Sequence, residues 1–337
     1  MSGEPAASAP VRMFFREAIA RAAREAMQAD PRVIIIGQDV GAFGGSYKEF
    51  AGLYDAFGPA RVRDTPIAEN AMIGLAVGAA AAGLRPLVSI TYMDFLMLGL
   101  DPLINYGVKA RFKTGGQLSV PLVVKTTAGA KGQGVAHSQC IEAWMMSVPG
   151  LQVFAPSTPA DAYLMLKAAF VAEGPVLFVD HKRLFPVADD VPPPEAGGDV
   201  GRAAILRAGD DLTLVAHSYM CRVALAAADR LGQSGIRAEV IDLRCLSPLD
   251  IATVETSVAR TGRLITIEEG QKICGVGAEI IAQLSCLPLS FHCERIAALP
   301  APISSNPVLE AAALPDPDRV VAVARALMTK PLHKEYP

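Results

Sequence analysis

No two of the six cysteines in this 337-residue chain stand as a CxxC pair, and positions 140, 221, 245, 274, 286 and 293 show no metal-ligand spacing. That argues against a disulfide framework, a structural zinc site or an iron–sulfur cluster, and reads as reduced, mostly buried thiols. Charge is scarce as well: 19% of residues are charged, the net charge is -3 and the pI is ≈ 6.0. Electrostatic recognition of nucleic acid or of an acidic membrane surface is thereby disfavoured. Long apolar runs are missing too. Ala71 to Leu84 is too short and too rich in alanine and glycine to cross a bilayer, and Ile90 to Leu100 is interrupted by Asp94. Residues 1–11 place alanine, proline and serine around one glutamate, with neither the apolar core of a signal peptide nor the repeated arginines of a transit peptide. They read as a disordered tail. These absences lead to the expectation of a cytoplasmic protein whose partners are small molecules or other proteins, with no nucleic acid and no membrane. Finally, no P-loop, complete GxGxxG, GxSxG or HExxH occurs, which disfavours a dehydrogenase that binds a dinucleotide by itself.

What is present is an alternation of apolar, β-branched runs with helical patterns, the mark of an α/β fold. Helices are expected over 14–29, 68–83, 94–113, 141–147 and 159–172, and strands over 33–37, 86–90, 122–126, 152–155 and 176–179. The strands are apolar on both faces, as in a parallel sheet. Residues 188–201 combine prolines, glycines and acids without periodicity and read as a linker. A second, smaller α/β domain follows it, with strands over 212–216, 238–242 and 263–268 and helices over 220–233, 249–259, 278–284 and 318–328.

One carboxylate, Glu69, stands in DTPIAEN at the entrance to the uncharged run that ends at Leu84. With Pro66 in the first turn and Thr65 as cap, Glu69 either answers the helix dipole toward solvent or faces a partner against which the small residues pack. His137, in GQGVAHSQCIEAW, lies on a loop flexed by Gly132 and Gly134, ahead of a short helix that Ser138 is placed to cap. It is either an ordinary loop histidine or one set to meet a substrate. Phe95, in TYMDF, follows a strand end, where ligands of α/β sheets bind, although core packing is the ordinary role of a lone phenylalanine. Gly44-Gly45 and Gly275-Val-Gly277 read equally as tight turns or phosphate cradles.

Segments in order along nearly the whole chain, among them IIGQDVGAFGG, FGPARVRDTPIAEN, GLAVGAAAAGLRP, AHSQCIEAW, PGLQVFAPSTPADA, AEVIDLRCLSPLD, GVGAEI and PVLEAAALPD, resemble the beta subunit of the thiamine-diphosphate-dependent component of 2-oxo acid dehydrogenase complexes. The resemblance implies a pyrimidine-binding α/β domain over 12–187 and a transketolase C-terminal-type α/β domain over 202–337, with the cofactor shared between an alpha and a beta subunit. This chain lacks the motif by which the alpha subunit holds diphosphate and Mg2+, so the resemblance makes it half of an active site in a heterotetramer of two alpha and two beta chains. By resemblance Glu69 is the acid that bonds the pyrimidine ring nitrogen, Phe95 the ring stacked on the pyrimidine, and His137 the histidine facing substrate, with Ser138 and Gln139 supporting the imidazole. Potassium in some relatives is held by backbone oxygens at positions matching Leu122, Ala169, Ala172 and Gly174.

The implied reaction is decarboxylation of a 2-oxo acid such as pyruvate, or cleavage of acetoin, with acyl transfer to the lipoyl group of a dihydrolipoyl acyltransferase. Ser89 stands where many relatives have an acid, and Gln271 where acetoin-type relatives often have histidine, so the subfamily stays open. The alternatives are a branched-chain 2-oxo acid dehydrogenase beta subunit, a split transketolase-like enzyme and a noncatalytic assembly subunit. Scaffolding alone requires none of Glu69, Phe95 and His137.

Overall fold

The structure, a computed structural model, describes residues 9–194 and 198–331. The first eight residues of the expected tail and 195–197 of the expected linker lie outside the described residues.

A seven-stranded sheet carries the first half of the chain, in the order Cys245–Ser247, Gln152–Phe154, Val176–His181, Val123–Ala128, Arg85–Ile90, Val33–Gly37, Val62–Asp64. All pairings are parallel except that of Cys245–Ser247, an edge strand lent by the second half. Its central strands are buried along their whole length, as the continuous apolar runs require when helices cover both faces. A five-stranded sheet, in the order His292–Ala298, Arg263–Gln271, Leu212–Ala216, Ala238–Asp242, Ala204–Arg207, forms the second unit and is parallel save for its last strand. The mixed α/β layout is the expected one.

Local differences have physical causes. Val11–Phe14 pairs antiparallel with Ala188–Val191, so the last residue expected in the tail and the first residues expected in the linker form a ribbon. Alternation too short to register as periodicity hid it. Thr65 does not cap a helix: its N–H bonds Gly37 O at 3.0 Å, which keeps the chain extended, and the helix Glu69–Ala81 starts later with Ala68 at its N-cap. Likewise the short helix Glu142–Met146 has Ile141, not Ser138, at its N-cap. The single helix expected over 94–113 is broken into Met93–Leu96, a 3-10 turn Met97–Gly99, a π-helical stretch Pro102–Val108 and Ala110–Lys113. Close approach explains the break, because a Cβ on Gly99 would lie 2.3 Å from Ile73 Cδ1 and 3.2 Å from Glu69 O. Only glycine lets this segment settle on the start of the Glu69 helix.

Candidate active site

Parallel strands deliver the candidate residues to one edge, since the segments after Gly37, Ile90, Ala128 and His181 all leave at carboxyl ends, where open α/β sheets bind ligands. Beyond Ile90, Tyr92 and Phe95 place their rings 6.1 Å apart at 72°. Beyond Ala128, Gly129 turns the chain with φ +88, and a Cβ there would strike His181 Nε2 at 1.8 Å. The loop then returns His137 edge-on against both rings, 4.6 Å from Tyr92 and 5.3 Å from Phe95. T-shaped contacts of this kind favour the positive edge of one ring over the negative face of another. Tyr92 thus belongs to the site although the sequence reading singled out only Phe95 from TYMDF.

Glu69 joins this group through its helix. Asn70 Nδ2 donates to Leu98 O at 3.2 Å, tying the first turn to the segment that follows Phe95. The Glu69 residue is only 8% exposed, yet among the described residues its carboxylate has no hydrogen-bond or ion-pair partner. Neither carboxylate oxygen is sealed from water, so an incoming ligand would have no bond within the chain to displace. The low exposure of the residue speaks against a charge that merely faces solvent, and an unpartnered acid at the sheet edge that also carries the Tyr92, Phe95 and His137 rings fits a flat, nitrogen-bearing ring such as a pyrimidine. Ser138 is buried with its hydroxyl unpartnered, and the Gln139 N–H donates weakly to Asp94 Oδ2 at 3.4 Å. Both residues line a cleft of about 390 Å³ with Glu269 and Gln271.

Several charged groups escaped the sequence reading. Lys182 is fully buried, its ammonium 5.0 Å from the Tyr92 ring centroid and bonded to Gly129 O at 2.7 Å and to His137 O. Burial lowers its pKa against the pull of nearby acids, Asp94 foremost. His181 Nδ1 accepts the Arg183 N–H at 3.1 Å, so Nε2 carries the proton and donates to Glu269 Oε2 at 3.0 Å. Burial acts to raise the Glu269 pKa, but His181 and the Ala130 N–H outweigh it and hold the carboxyl below its usual value. Cys140, His181 and Glu269 offer ligand atoms within 4.8 Å of one another. Both His181 nitrogens are already spent, however, and burial raises the Cys140 pKa far above normal, so the trio reads as a brace between the two halves. The only foretelling signal was a run of polar residues, DHKR, closing an apolar strand.

The potassium candidates lie elsewhere. Leu122 precedes the strand whose far end leads to His137, about 20 Å away for six residues at roughly 3.3 Å each. Leu122 O accepts Val176 N–H at 2.8 Å, Ala169 O accepts Ala172 N–H at 3.3 Å, and Ala172 O accepts Arg85 Nη1 at 3.1 Å. The Arg85 guanidinium, which also bonds Phe170 O at 3.0 Å, already supplies the positive charge favoured at a helix C-terminus. A carbonyl oxygen that accepts one hydrogen bond keeps a second lone pair, so these bonds leave the potassium assignment resting on the resemblance alone.

Residues 12–187 match the family of the transketolase pyrimidine-binding domain, and 201–320 that of the transketolase C-terminal domain. The chain is similar to the mitochondrial pyruvate dehydrogenase E1 component subunit beta-2 of Oryza sativa subsp. japonica, 43% identical over 321 residues covering 93% of this chain and 85% of that protein. It is similar also to the 2-oxoisovalerate dehydrogenase subunit beta of Bacillus subtilis (strain 168), at 38% identity over 94% of this chain and 98% of that one. Among solved structures a split gene transketolase, an inactive beta4 tetramer, matches with TM-score 0.78 and 26% identity over 94% of this chain and 98% of that one. The expectation of a cytoplasmic location is corrected by the relatives from rice, Arabidopsis thaliana and Pisum sativum, all mitochondrial. Reduced thiols separate oxidising from reducing surroundings and do not tell one reducing compartment from another. With both halves matched in order, the chain belongs to the family of 2-oxo acid dehydrogenase E1 beta subunits, built from a transketolase-type pyrimidine-binding domain and a transketolase C-terminal domain.

Proposed function

We propose that this chain is the beta half of a 2-oxo acid dehydrogenase E1 component, acting on pyruvate or acetoin and passing the acyl group to a lipoylated acyltransferase. The observation that carries the reading is the Glu69 carboxylate, left without a partner by its own chain at the sheet edge where the Tyr92, Phe95 and His137 rings gather. When bound, thiamine diphosphate supplies the carbon nucleophile and the electron sink. Glu69 holds the proton exchanged with the pyrimidine ring nitrogen. Phe95 presents a face for stacking, worth about 0.5–1.5 kcal/mol beyond area burial. His137, in edge contact with Tyr92 and Phe95, exchanges a proton with the acyl-bearing substrate, while Ser138 and Gln139 support its imidazole. Diphosphate and Mg2+ fall to an alpha subunit, in an assembly of two alpha and two beta chains. Domains over 12–187 and 202–337, joined by 188–201, complete the reading. No step is assigned to potassium.

Turnover of pyruvate, branched-chain 2-oxo acids and acetoin by the chain co-expressed with its alpha partner tests the assignment. The reading expects pyruvate or acetoin to be preferred over branched-chain acids. Preference for a branched-chain acid would move the chain to the 2-oxoisovalerate type, and turnover of sugar phosphates alone would replace the reading with a split transketolase.

A further inference from the structure

The loop that ends at His137 is gripped through its backbone by charged side chains, two of which come from the other half of the chain. Glu269 Oε1 accepts the Ala130 N–H at 2.7 Å, and Glu310 Oε2, from the helix Pro307–Ala313, accepts the Gly132 N–H at 2.6 Å. Arg183 closes the frame, with Nε donating to Ala130 O at 2.8 Å and Nη2 to Glu310 Oε1 at 2.8 Å. Lys182 spans the loop, bonding the carbonyls of Gly129 at its start and His137 at its end. Ser305 presses on the same turn, since a Cβ on Gly134 would meet its Cβ at 3.2 Å.

Burying charge costs free energy even when it is paired. A surface loop is ordinarily closed far more cheaply, by turn residues and backbone bonds. The costly arrangement is explained if the loop must hold its last residue in one place, and that residue is His137, wedged against Tyr92 and Phe95. We propose that Glu310, braced by Arg183, is a positioning residue for the His137 imidazole, so that the second half of the chain sets the geometry of a catalytic group carried by the first. The proposal rests on the reading of His137 given above. It makes Glu310 act through Gly132 N–H and the loop backbone, without touching substrate or cofactor.

The test uses the assembled alpha–beta complex, comparing Glu310→Gln, Glu310→Asp, His137→Ala and the double variant Glu310→Gln/His137→Ala. Glu310→Gln is expected to lower kcat for acyl transfer by about 10–100-fold, the scale set by misplacing a catalytic group, with KM for the 2-oxo acid unchanged and faster amide hydrogen exchange across 129–137. Glu310→Asp, which keeps the charge, should recover part of both. In the His137→Ala background, Glu310→Gln should cost nothing further, because the group it positions is gone. Additive losses in the double variant, or full activity with a loosened loop, would overturn the proposal while leaving His137 catalytic. Full activity in His137→Ala would instead sink the His137 reading, and this proposal with it. Should Glu310→Gln fail to assemble, Arg183→Gln releases the same carboxylate without altering the helix that bears it, and the same outcomes decide.

Discussion

Glu69 opens a helix that carries no further charge as far as Leu84, and its carboxylate is left unpartnered. His137 closes a loop whose backbone is held by Lys182, Arg183, Glu269 and Glu310. Both reach the same edge of one sheet, yet the first is incomplete within the chain and the second is over-determined by it. The difference follows from what each faces. On the proposed reading, a group that bonds an incoming ring is kept free of internal partners. A group that must stay in place while substrates change is tied to the fold on every side. Leu75 and Ile67, exposed at 57% and 69% on and before the Glu69 helix, lie on the side that the proposed reading gives to another subunit.

The largest expected effect comes from withholding that subunit. The isolated chain should show no thiamine-diphosphate-dependent turnover and no tight cofactor binding by calorimetry with magnesium present. Submicromolar binding by the chain alone would show that the Glu69 side is complete after all.

Next in size is the loss in His137→Ala, about 10²-fold or more in acyl transfer to a free lipoyl domain, as for a positioned acid–base group. Decarboxylation measured with an artificial electron acceptor should fall much less. An equal fall in both assays, with melting temperature and assembly unchanged, would leave His137 a contributor to pocket shape and no more.

The smallest effect tests the self-sufficient side at its extreme, beneath the strand that leads to the His137 loop. Lys125, fully buried, meets Glu49 at 2.8 Å and Asp180 at 3.0 Å. Burial, opposed by Lys125 and reinforced by Glu49, pushes the Asp180 pKa from 3.8 up to about 6. A raised pKa in the folded state means that the fold binds the proton more tightly than the unfolded chain. Its contribution to stability is therefore present below about pH 4 and lost as the pH rises through about 6. Urea unfolding should show wild type losing about 1–3 kcal/mol relative to Asp180→Asn between pH 4 and 7. A constant difference over that range would mean that Lys125 keeps Asp180 ionised throughout.

The same contrast explains what could be read from the chain itself. Glu69, Phe95 and His137 were legible because each stands out from its neighbours: an acid before an uncharged run, an aromatic after a strand, a histidine among glycines. The parallel sheet was legible because its central strands are apolar on both faces. The grip on the His137 loop was not, since Glu269 and Glu310 bond backbone amides 139 and 178 residues away, and a backbone donor leaves no mark on the sequence. Nor was the break after Phe95, which depends on Gly99 meeting Glu69 O, a contact between segments. Thr65 and Pro66 carried a sound local capping signal that lost to a strand-end hydrogen bond with Gly37.

The central claim is that the unpartnered Glu69 carboxylate awaits the cofactor ring and supplies one placed proton. Glu69→Gln keeps the shape and removes the acid, so the direct measurement is hydrogen–deuterium exchange at the thiazolium carbon of thiamine diphosphate bound to the assembled variant. Exchange slowed by about 10²–10⁴-fold, with alpha–beta assembly intact, is the predicted result. Exchange at the wild-type rate would show that Glu69 is only a charge at the end of a helix.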